Sequence, residues 1–115
     1  MKLEQQVCSL ELAKQLKELG FKQDSLFWWQ DCGDGTVELM YGKTDSNFGI
    51  PVQYYYPAYT VAELGEMLPL GYASWRNRKD FMCQDHLEEL EIRAETEVDA
   101  RAKMLIYLKE NNLID

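Results

Sequence analysis

The residue types best suited to chemistry come together at Cys83, Asp85 and His86. A thiol, a carboxylate and an imidazole within four positions invite a metal site or a Cys–His nucleophile. Four-coordinate zinc needs more nitrogen or sulfur ligands than this, and Cys8 and Cys32 fall in other predicted elements. A nucleophilic cysteine needs a positioned thiolate and a third, orienting group, and nothing nearby supplies one. The chain has neither a G-x-x-x-x-G-K-[ST] nor a G-x-G-x-x-G pattern, so no phosphate cradle is evident. Carboxylates are abundant, but spacing singles out no acid–base pair. No catalytic residue, metal ligand or cofactor is assigned.

Two surface features remain. Tyr54, Tyr55, Tyr56 and Tyr59 lie close together, with Trp29 as a further aromatic candidate. Tyrosine offers a large contact area at small entropic cost, so this cluster is a candidate protein-binding surface. The same rings could instead lie flat and cover a sheet edge. The second feature is an acidic ridge. On one face of a strand, Glu89, Glu91 and Glu95 would be spaced in steps of about 6.6 Å. Such a row could imitate the phosphates of a nucleic acid for a basic protein. Its ordinary role would be a solvated face that guards a sheet edge.

The elements that must position these residues are legible in order. Ser9 caps a helix over Ser9–Leu19, with Leu12, Ala13, Leu16 and Leu19 on one face, Gly20 at its C′ position and Phe21 closing the end. A hairpin is predicted from Ser25 to Tyr41, turning at Asp31–Gly35. Trp28 and Trp29 would then point to opposite faces. A short strand follows at Val52–Tyr56, stopped by Pro57. Thr60 and Glu63 form a capping box for a helix over Val61–Leu68. Gly65 in its interior costs about 1 kcal/mol relative to Ala, which suggests a neighbour in close approach or a weak helix. Strands are predicted at Tyr72–Arg76, Phe81–Asp85 and Glu89–Glu95. The last alternates with period two, although Leu87, Leu90, Ala94 and Val98 also fit a helical spacing. The segment Thr96–Leu113 is the clearest helix. Thr96 caps it, Asp99 stands where a capping-box acid would, and Asn111 and Asn112 end it. Val98, Ala102, Leu105 and Ile106 share one face, which Met104 and Leu108 widen.

These elements, in the order α-β-β-(β)-α-β-β-β-α, imply a single α+β domain. An antiparallel sheet of about five strands would carry the helices on one face. The 115 residues suit one domain. A net charge of −8 argues against direct binding to nucleic acid or to an anionic membrane. Three scattered cysteines fit a reducing compartment. The N-terminal stretch lacks a signal peptide's apolar core, and no run could span a bilayer, so a cytoplasmic location is expected.

Three stretches, VCSLELAKQLKELGFKQDSLFWW, YTVAELGEML and TEVDARAKMLIYLKENNLI, together resemble a family of small uncharacterised bacterial proteins often found with prophage genes. The resemblance implies a bacterial or phage accessory protein and carries no catalytic residue or cofactor. The expected activity is therefore non-catalytic binding of an unidentified protein partner, with homodimerisation open. The alternatives are an acidic charge mimic that inhibits a nucleic-acid-binding protein, and a small-molecule enzyme whose site is not recognisable.

Overall fold

Local signals in the chain set most element ends. The structure, a computed structural model, describes residues 2–22, 24–31, 35–42, 55–87 and 89–114. A 3-10 turn at Leu3–Gln5 precedes α1 (Leu10–Glu18). The Ser9 hydroxyl accepts the Leu12 amide at the start of α1. At its end, the Gly20 and Phe21 amides donate to the Lys17 and Leu16 carbonyls, and Phe21 packs on the core. This is a Schellman closure with its apolar contact. Helix α2 (Val61–Met67) opens with the reciprocal Thr60–Glu63 box, at 2.9 and 3.2 Å. Helix α3 (Glu97–Glu110) opens on Thr96, whose hydroxyl accepts the Asp99 amide. It closes through Asn112 at φ 57°, with the Leu113 and Asn112 amides donating to the Leu108 and Lys109 carbonyls.

The strands form two antiparallel sheets, where the sequence suggested one of about five strands. The first sheet has the order β2-β1-β3, with β1 (Phe27–Asp31), β2 (Val37–Tyr41) and β3 (Tyr55–Pro57). The second has the order β4-β5-β6, with β4 (Tyr72–Arg76), β5 (Phe81–Asp85) and β6 (Glu91–Ala94). Short turns favour sequential pairing, and α2 intervenes between β3 and β4, so pairing begins afresh after it. Pro57 ends β3, an edge strand, where a missing donor is tolerated. The expected strand Val52–Tyr56 lies outside the described residues up to Tyr54. The expected Glu89–Glu95 strand narrows to Glu91–Ala94, because Asp85 Oδ1 accepts the Glu89 and Leu90 amides and holds them in a turn.

Helix α3 is the centre of the molecule. One of its sides presents Val98, Ala102, Leu105 and Ile106 to α1, α2 and Tyr59. The other presents Ala100, Met104 and Leu108 to Cys83 and Ala94 of the second sheet. The sequence showed the first stripe and its widening. The structure shows that the widening is a second covered face.

Candidate functional site

Arg101 of α3 ties three elements together. Its Nε donates to Ser74 Oγ at 2.6 Å, and its Nη1 donates to the Val61 carbonyl at 2.9 Å. The Ser74 hydroxyl then donates to Glu97 Oε2 at 2.6 Å. The guanidinium lies over Gly65, where a Cβ would collide with it. The mid-helix glycine is therefore explained by close approach.

Beside this network lies a half-open cavity of about 290 Å³. Its apolar walls are Leu3, Phe27, Val61, Phe81 and Val98, brought there by the 3-10 turn, both sheets, α2 and α3. Thr60 and Glu97 are among its polar lining groups. Glu97 Oε1 has no hydrogen-bond partner among the described residues. A wider groove of about 440 Å³ runs between α1 and the start of α3, with Glu11, Glu95, Asp99 and Lys103 along it. The Asp99 carboxylate does not return to the Thr96 amide as a capping box would; it accepts the Ser9 amide at 2.9 Å and so joins the two helix starts. Burial raises its pKa, opposed by that hydrogen bond and by Lys103.

The tyrosines predicted as a binding surface are largely interior. Tyr59 is fully buried and its hydroxyl donates to the Lys22 carbonyl. Tyr55, in the edge strand β3, is buried as well. Tyr56 keeps some exposure, but its ring lies under the ammonium groups of Lys14 and Lys17, at 5.4 and 4.8 Å from the centroid. Tyr54 lies outside the described residues. Trp29 packs on the helical core and donates its indole N–H to the Cys8 carbonyl at 2.8 Å. Trp28, on the opposite face, is buried and donates to the Ser25 carbonyl. Both rings of the pair are thus covered, because the neighbouring chain offers each indole an acceptor as well as apolar contact.

Glu89, Glu91 and Glu95 are exposed, as an acidic ridge requires. Arg93 occupies the same row, however, and donates from Nε and Nη2 to Glu91 Oε1 at 3.1 and 3.0 Å. With Glu89 outside the strand, the three carboxylates do not form an uninterrupted charge row.

Cys83, Asp85 and His86 do not converge on a site. Cys83 is buried against α3, and burial pushes its thiol up to about 11. Asp85 is occupied by the turn amides, and His86 is exposed beside Gly71. Cys8 is buried too, and its thiol is raised to about 12. Neither is a nucleophile near neutral pH. Among the described residues, no group of three or more His, Cys, Asp or Glu is placed to hold a metal ion.

A surface that the sequence reading passed over lies at the β4–β5 hairpin. Cross-strand register sets Ser74 opposite Cys83 and Trp75 opposite Met82. Ser74 faces α3, so Trp75 stands on the sheet's outer face, where it is 42% exposed. Arg76, Arg78 and Lys79 follow at the hairpin end, all exposed. Among the described residues the ion pairs are those of Arg93, so these three cations are unpaired there. The available signal was the strand alternation, which puts Trp75 on the opposite face from Ser74, together with the basic run that follows.

No helix among the described residues is long and apolar enough to cross a membrane. Comparison with known protein families, with curated proteins and with solved structures found no match.

Proposed function

We propose that the protein is a non-catalytic interaction module that binds an acidic segment of another protein across the β4–β5 hairpin. The observation that carries this is the exposed Trp75 with Arg78 and Lys79 at the hairpin turn, cations without an ion pair among the described residues, on a chain whose net charge is −8. An aromatic anchor near exposed cations suits a partner with carboxylates next to apolar side chains. The protein's overall negative charge repels an extended polyanion such as a nucleic acid and leaves a short acidic segment as the better fit. An accessory role of this kind agrees with the resemblance of the three quoted stretches to small prophage-associated proteins.

The test uses a fluorescent peptide of alternating Glu and Leu and a single-stranded oligonucleotide of equal charge, each titrated with the full chain. The peptide should bind more tightly, and Trp75→Ala or Arg78→Glu with Lys79→Glu should weaken it at least about tenfold. Binding should also weaken with salt. Preferential binding of the oligonucleotide, or peptide binding indifferent to all three substitutions, would rule the proposal out.

A further inference from the structure

We infer that the cavity between the two sheets is a binding site for a small organic ammonium ion, one with a compact apolar body and a protonated amine. The inference rests on the cavity alone and is independent of the hairpin surface. Size sets the first limit. A cavity of about 150 Å³ suffices for benzene. The volume here is about 290 Å³, enough for a ring and a short side arm. The walls set the second. Leu3, Phe27, Val61, Phe81 and Val98 offer an apolar seat, and two of these are aromatic, the residue type that also attracts a cation.

Charge sets the third limit. Glu97 is the only ionisable residue lining the cavity among the described residues. One of its oxygens accepts the Ser74 hydroxyl, and the other is left without a partner among the described residues. The neighbouring Arg101 is engaged by Ser74 and by the Val61 carbonyl, so it reaches Glu97 only through that hydroxyl. An anionic ligand would meet this carboxylate with no cation in the wall. A neutral ligand could at most donate an uncharged hydrogen bond to it, about half as strong as one from a cation. An ammonium ion satisfies it with a charge-assisted hydrogen bond. The chain's net charge of −8 raises the local concentration of cations further.

The probe is 2-phenylethylammonium, with 2-phenylethanol as its neutral counterpart, each titrated into the full chain and followed by amide chemical shifts. The ammonium ion should perturb Val61, Ala62 and Val98 and bind about tenfold more tightly than the alcohol. Glu97→Gln keeps an acceptor for Ser74 and should bring the two affinities together. Ala62→Trp, at the rim, should abolish binding of both. The comparison on the wild-type chain needs no variant to fold. Equal affinities there, shifts confined to another surface, or no binding up to the solubility of the probes would each overturn the inference.

Discussion

At Gly65 the absence of a side chain decides how two helices and a strand meet. A methyl group there would collide with Nη1 of Arg101 and push it off the Val61 carbonyl. Helix propensity alone favours Ala over Gly by about 1 kcal/mol. Hydrogen bonds from a charged donor are worth about 1.5–3 kcal/mol each. The loss of that bond outweighs the gain, so Gly65→Ala should destabilise the protein by about 0.5–2 kcal/mol, read as a shift in urea midpoint. The sign should reverse once the guanidinium is gone. On an Arg101→Ala background, Gly65→Ala should stabilise by up to about 1 kcal/mol. A glycine substitution that destabilises equally in both backgrounds would show that helix α2 suffers for another reason. The sequence raised the alternatives of close neighbour and weak helix; it could not name Arg101, which is 36 positions away and on another element.

Among the elements, α3 is covered on two sides, and this sets how its substitutions should behave. Leu105 is fully buried in the core shared with α1 and α2, and Met104 is fully buried on the second sheet. Leu105→Ala and Met104→Ala should each cost about 2–5 kcal/mol, as deletions of large buried apolar side chains do. Tyr107, partly exposed on the same helix, should lose much less on truncation to Ala. Equal midpoints for wild type and Met104→Ala would show that the second face is not sealed. What the sequence disclosed about elements was what neighbours in the chain determine. Thr60 with Glu63, Gly20 with Phe21, and Asn112 are all local devices, and each acts where it was expected. Asp99 was misjudged because its partner, the Ser9 amide, belongs to the start of another helix. The aromatic candidates fared likewise. Tyrosine and tryptophan carry both area and a donor, so composition alone cannot separate a ring that anchors a partner from one that anchors its own chain. Trp29 and Tyr59 do the latter, through the Cys8 and Lys22 carbonyls.

Across the whole molecule, the division into two sheets was hidden because strand patterning tells which face is apolar and not which strand lies alongside. The two sheets do not follow from separate cores closed on themselves. Both apolar clusters draw on α3, and Leu68 and Ile114 pack against both. A helix common to both cores cannot leave one without exposing the other, so the sheets should unfold together despite having no shared strand. The tryptophans make this measurable, since Trp28 and Trp29 lie in the first sheet and Trp75 in the second. A Trp75→Phe variant reports on the first sheet by fluorescence, and a variant with Trp28→Phe and Trp29→Phe reports on the second. In each variant the fluorescence midpoint in urea should coincide with the midpoint from far-ultraviolet circular dichroism of that same protein. Adding Leu105→Ala, which touches only the first cluster, should move the Trp75 signal as far as the Trp28 and Trp29 signal. If only the first-sheet signal moves, α3 does not couple the two halves, and the second sheet holds its structure without the helical core.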